Sequence, residues 1–125
     1  NSMAQRAALA AVYGPQDFIG EMVREYDRRR RYIIERLNSI PGISCFPPHG
    51  TFYAFPDVSG TFGRVFRGKK IQSSSEFGDY LLDSEGVAVV PGNVFEGEGH
   101  LRLSFACGME VIKSGCDRIE RAVTV

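Results

Sequence analysis

VAVVPGNVFEGEGHLRLSFA, residues 87–106, reads as strand, glycine-rich loop, strand, and the rest of the chain is arranged around it. Val87 to Val90 is a short run of small and β-branched residues between Gly86 and Pro91-Gly92, the pattern of a well-buried strand. Leu101 to Ala106 alternates. Leu101, Leu103 and Phe105 share one face, and Arg102, Ser104 and Ala106 the other. Alternation alone marks Arg102 as the wet side of a half-buried strand. Its two small face-mates also leave room before a guanidinium, whose planar fork of donors matches a carboxylate bidentately.

Working back to the start, the 125 residues suit one domain with a core of its own. Ser2-Met3-Ala4-Gln5 has the form of a capping box opening an alanine-rich helix that Gly14-Pro15 stops. Pro15 suits the first position of a second helix, about Gln16 to Asn38, with an apolar stripe of Ile19, Met22, Val23, Tyr26, Ile33, Ile34 and Leu37. Arg28 to Arg31 winds round that helix, which favours a solvated face paired with Glu25 and Glu35 over a phosphate site. Ile43 to Phe46 and Thr51 to Phe55 are expected as strands, and Gly60 to Gln72 as a solvated loop carrying Arg64, Arg67, Lys69 and Lys70. Ser73 to Glu76 caps a short helix bearing Phe77, Tyr80 and Leu81, with Gly86 as its left-handed stop. The last helix starts near Met109, with Ile112, Cys116, Ile119 and Val123 on one side. Burying these stripes calls for an α+β two-layer sandwich, a small sheet covered mainly on one side by helices.

Fifteen basic residues balance fifteen acidic ones, so no net charge favours nucleic acid or an anionic membrane. No apolar run approaches the ~20 residues of a membrane-spanning helix. Cys45, Cys107 and Cys116 lack paired zinc-type spacing and read as reduced thiols of a cytoplasmic protein. No metal-ligand cluster surrounds His49 or His100, and no histidine–acid pair is spaced to activate a serine. The glycines of 92–99 open a strand rather than a helix and carry Glu96 and Glu98, which argues against a phosphate loop.

VAVVPG, then a phenylalanine, glycines and HLRLSFA, resembles the C-terminal region of class I/II, fold-type I aminotransferases, the aspartate aminotransferase-like enzymes that use pyridoxal phosphate. PPHGTFYAFPDVSG, residues 47–60, resembles the same family's proline-x-glycine-small-phenylalanine-tyrosine segment, a small-domain strand near the active-site mouth. Thr51 stands where alanine is commoner, and Glu96 where glycine commonly follows the phenylalanine. The resemblance implies that Arg102 binds the α-carboxylate of an amino-acid substrate. It implies that residues 1–125 are the small C-terminal domain of a longer enzyme that exchanges an amino group between an amino acid and a 2-oxo acid. That enzyme is expected to be a homodimer.

The family's Schiff-base lysine sits in a serine-containing strand-end context, which Lys69, Lys70 and Lys113 do not match. That lysine and the groups holding the cofactor are therefore expected upstream of Asn1. No catalytic residue and no cofactor are expected in these residues alone. The other reading is a stand-alone α+β module that binds a carboxylate or a partner protein through Arg102. A lyase or acyltransferase on the same fold is also compatible, because fold alone does not set reaction type. An exposed apolar patch involving the first helix would separate a detached domain from a free-standing module.

Overall fold

A computed structural model describes residues 1–124. Four helices carry the chain: α1 (Ser2–Tyr13), α2 (Asp17–Asn38), α3 (Ser74–Glu85) and α4 (Met109–Val123). Three short strands, β1 (Tyr53–Ala54), β4 (Val90–Pro91) and β5 (Leu101–Ser104), form an antiparallel sheet in the order β1-β5-β4. A separate hairpin, β2 (Val65–Phe66) with β3 (Lys69–Lys70), lies between β1 and α3 in sequence. The architecture is the expected α+β arrangement, helices against a small sheet.

The alternation on β5 sorts its residues between two environments. Leu101 and Phe105 are fully buried and Leu103 packs against the core, together with Ala54 of β1. That core takes Ile33 and Leu37 from α2, Phe77 and Leu81 from α3, and Ile112, Cys116 and Ile119 from α4. Side chains link the helices as well. Arg36 Nη2 donates to Asp117 Oδ1 (2.8 Å) and Glu120 Oε2 (2.9 Å), and the Tyr80 hydroxyl donates to Ala122 O (2.9 Å).

Several local expectations shift. The first cap is Asn1, not Ser2: its side chain accepts from the amides of Met3 (3.0 Å) and Ala4 (3.5 Å). Pro15 lies two residues before α2. Gln16 occupies the cap and turns its amide back to Ala11 O (2.8 Å) and Gly14 O (2.9 Å), closing α1 instead. The arginine run pairs with Glu25 and Asp27, both one turn N-terminal, rather than with Glu35. Arg28, then Arg29, holds the Glu25 carboxyl down to about 2. Ile43 to Phe46 is no strand; only Ser44 bridges, to Asp57. Val87 to Val89 belongs to no strand and is half-exposed or exposed, and pairing begins only at Val90 opposite Arg102.

The largest departure is residues 60–72. Arg67 (φ 47) and Gly68 (φ 82) both adopt left-handed backbone, as a two-residue hairpin turn requires. The hairpin buries Phe66 and Ile71 completely, so this stretch is part of the core and not a solvated insertion. Its charge is anchored too. Glu85 at the end of α3, with a side chain only 6% exposed, accepts from Arg67 Nη2 (2.7 Å) and Arg121 Nη2 (2.8 Å).

Arg121, then Arg67, holds the Glu85 carboxyl below the usual carboxylate range. A carboxylate depressed in the folded state stabilises the fold above its ordinary value, about 4.3, and that contribution is lost as pH falls through the folded value. Glu85→Gln is therefore expected to lower the thermal midpoint at pH 7. The difference should shrink as a Tm series descends from about pH 5 towards pH 3. Parallel curves for the two proteins would show that the arginines do not act through this charge.

Candidate functional site

The sheet face opposite the core is not covered by any described helix. It presents Tyr53 and Phe55 from the β1 segment and His100, Arg102, Ser104 and Ala106 from the β5 segment, all half-buried or exposed. Register explains the grouping. Val90 lies opposite Arg102 and Tyr53 opposite Ser104, and residues directly opposite in an antiparallel pair share a face. Tyr53 is thus one diagonal step from Arg102.

The space that small neighbours leave before Arg102 is filled by rings. Its guanidinium carbon lies 4.6 Å from the Tyr53 ring centroid and 4.5 Å from that of Phe95, over the face of each. Both separations are well inside cation–π range. Arg102 makes no ion pair or side-chain hydrogen bond among the described residues, whereas most other arginines of the chain are paired. Its Nε is sealed from solvent and unpartnered, while the two terminal nitrogens are not sealed. The open side of the group is therefore its terminal fork, the edge that accepts a carboxylate bidentately.

Phe95 reaches Arg102 because of the loop that carries it. Pro91 leads into a 3-10 turn, Gly92–Phe95, that Glu96 ends in left-handed backbone (φ 59). Glycine takes that conformation without a Cβ penalty, which accounts physically for the commoner glycine after the phenylalanine. At Gly92 the chain closes on itself: its amide donates to His100 O (2.7 Å), and a Cβ there would stand 2.1 Å from Gly97 O. Glu98 is an anchor rather than a repellent. Its Oε1 accepts from the Ser74 amide at the start of α3 (2.7 Å), and the buried Ser74 hydroxyl accepts from Gly99 N (2.9 Å). These bonds, the Ser74 amide foremost, hold the Glu98 carboxyl below its ordinary range. Phe55 completes the aromatic face, stacked on His100 at 4.9 Å and edge-on to Phe95 at 6.3 Å.

The placement of Arg102 on the face opposite the core is legible in the sequence; Tyr53 and Phe95 as its neighbours are not. The available signal was the aromatic alternation of TFYAF, but without register it points at no particular arginine. Thr51 supplies further detail. It holds a left-handed φ of 64, unusual for a β-branched residue, and its hydroxyl accepts from Tyr53 N (3.2 Å). No side chain here is set up as a nucleophile. Burial pushes the Cys116 thiol up to about 11 and raises that of Cys45, so neither is poised as a thiolate. Lys113 Nζ pairs with Glu110 (2.9 Å), and Lys69 and Lys70 lie exposed on β3.

Relatives of known identity match this chain over nearly its whole length. An aspartate aminotransferase of Streptomyces avermitilis is 43% identical over 117 residues, 94% of this chain and 29% of that protein. An aspartate/prephenate aminotransferase of Cereibacter sphaeroides is 40% identical, covering 95% of this chain and 30% of its own length. Among solved structures, the aspartate aminotransferase of Rhizobium meliloti superposes with a TM-score of 0.95 at 38% identity, over 98% of this chain and 31% of that one. An alanine aminotransferase of Pyrococcus furiosus superposes with a TM-score of 0.85 at 36% identity, over 97% and 29%. The chain thus spans about three-tenths of the length of the relatives it matches. The profile of aminotransferase class I and II matches residues 1–119, and the chain belongs to that family.

Proposed function

We propose that residues 1–125 are the small, C-terminal domain of a pyridoxal-phosphate-dependent aminotransferase and that Arg102 binds the α-carboxylate of its amino-acid and 2-oxo-acid substrates. The observation that carries this reading is a guanidinium with an open terminal fork, no acidic partner among the described residues, and a position on the uncovered sheet face. The relatives' names strengthen the choice of carboxylate. Aspartate and alanine differ in their side chains and share the α-carboxylate and α-amino group, so an arginine common to such substrates reads the shared end.

The face is a poor fit to the cofactor itself. It carries one cation, already bracketed by rings, while Lys113 is paired and Lys69 and Lys70 are exposed on the hairpin. The lysine and the phosphate- and ring-binding groups belong to the larger part of the parent polypeptide. The cofactor, when bound there, supplies the electron sink for amino-group exchange. Arg102 contributes orientation: two charge-assisted bonds fix the substrate's Cα relative to the reacting groups, and closure of this domain over the site excludes water.

An apolar surface supports the domain reading over a stand-alone module. No residue of α1 is buried, and Leu9, Val12, Phe18, Ile19, Met22 and Val23 lie exposed along α1 and the first half of α2. The stripe read on α2 therefore splits, its second half in this core and its first half presented outward. That is the surface a larger domain or a dimer mate covers. The parent is assigned to the cytoplasm, in keeping with three free cysteines, two of them buried. Among the described residues no helix is long and apolar enough to cross a membrane.

The test is the reading frame upstream of the Asn1 codon together with the activity of its complete product. A frame of a few hundred codons, whose product transaminates an amino acid in the presence of pyridoxal phosphate, is the expected result. A complete product that starts near Asn1 and binds carboxylates without turnover would replace the enzyme reading with the binding-module one.

A further inference from the structure

We propose that Tyr53 and Phe95 are positioning residues that hold the Arg102 guanidinium in place of an acidic partner and so keep its charge and terminal donors for the substrate; this rests on Arg102 being the carboxylate-binding residue. Seven arginines elsewhere in the chain are fixed by carboxylates. Arg28 and Arg29 use Glu25, Arg30 and Arg31 use Asp27, Arg36 uses Asp117 and Glu120, and Arg67 and Arg121 share Glu85. Each such pair occupies donors of the guanidinium and offsets its charge. Arg102 is held by rings instead, two of them where Arg64 has one, the Phe66 ring at 5.0 Å. Two π faces at 4.6 and 4.5 Å attract the cation and leave its terminal N–H groups without a side-chain partner among the described residues.

Separate elements deliver the two rings. Tyr53 comes from β1 on one side of β5, set by its pairing opposite Ser104 and by the Thr51 hydroxyl. Phe95 comes from the loop after β4 on the other side, set by the closure at Gly92 and by the Glu98–Ser74 bond. Phe55 packs edge-on to Phe95 at 6.3 Å. The arrangement holds the guanidinium carbon against both rings, and a carboxylate then meets the terminal fork. A guanidinium fixed before the ligand arrives loses less freedom on binding.

The test uses the full-length enzyme with L-aspartate as amino donor and compares four single variants with Arg102→Ala and the double variant Arg102→Ala/Phe95→Leu. Tyr53→Leu and Phe95→Leu are expected to raise KM about tenfold with kcat within about threefold, the scale of one lost partly desolvated cation–π contact. Tyr53→Phe and Phe95→Tyr keep a ring and are expected to stay within about twofold of wild type. In the Arg102→Ala background, Phe95→Leu is expected to add less than about twofold, because a residue acting through the guanidinium has nothing left to position.

The proposal is overturned, with the carboxylate reading intact, if Arg102→Ala is damaging while both leucine variants keep the wild-type KM. It is also overturned if Phe95→Leu costs the same factor in both backgrounds, or if Tyr53→Phe loses as much as Tyr53→Leu. A silent Arg102→Ala overturns both readings together. Thermal midpoints recorded for every variant separate a KM effect from misfolding, and the ring-retaining pair still decides the matter where a leucine variant fails to fold.

Discussion

Arg102→Ala in the full-length enzyme is expected to lower kcat/KM for the amino donor by at least about a hundredfold. Two charge-assisted hydrogen bonds to one carboxylate are lost at once, each worth about 1.5–3 kcal/mol, and about 2.7 kcal/mol corresponds to a hundredfold in rate. The loss should fall on both KM and kcat. Part of the contact is uniform binding, and part aligns the substrate for the reaction. Arg102→Lys keeps the charge but not the planar fork, so it should recover only a minor share of the activity. Steady-state kinetics with L-aspartate as the first donor make the measurement. A fall of less than about threefold for the alanine variant would remove Arg102 from the substrate site.

The second large effect belongs to the other face of the same strand segment. Phe105→Ala is expected to destabilise the domain by about 3–5 kcal/mol, the range for truncating a buried phenylalanine. Phe105 is fully buried, sets its ring edge-on to Tyr26 at 6.3 Å, and donates its amide to Phe52 O at 2.9 Å. That amide bond continues the β1–β5 pairing beyond Ser104, so the vacated volume lies directly behind the strand that carries Arg102. Denaturant unfolding of the full-length protein should show an earlier transition for this domain. Phe105→Leu should recover much of the loss, because a smaller cavity costs less. If Phe105→Ala unfolds with the wild-type midpoint, the core is not organised around this ring.

Much of the architecture could be read from residue order because the informative signals were local. The stop at Gly86, with φ 65, is such a case: a helix that must turn sharply needs left-handed backbone, and glycine supplies it. Ile112, Cys116 and Ile119 of α4 are buried at the spacing that marked them. The cap of α1 falls one residue before the expected one because Asn1 and Ser2 are both competent acceptors, and only the backbone conformation at the first turn separates them. The hairpin at 65–70 has no such local signal. Its strands are two residues each, its turn is Arg67-Gly68 instead of a strong turn dipeptide, and its basic residues suggest solvent. Burial of Phe66, stacked on Tyr80 of α3, and of Ile71 outweighed that composition.

By itself, then, the sequence determined the α+β arrangement, the two faces of the 101–106 strand and the identity of the arginine on the open face. Periodicity and punctuation are properties of neighbouring residues, so they survive without coordinates. Tertiary structure alone decided what surrounds that arginine. Tyr53 lies 49 positions away in the chain and Phe95 sits on a loop closed by backbone contacts at Gly92, and neither relation has a local signature. The same holds for α2, whose single apolar stripe serves two surfaces. Hydrophobic pattern specifies that a face will be covered, and only packing specifies by what.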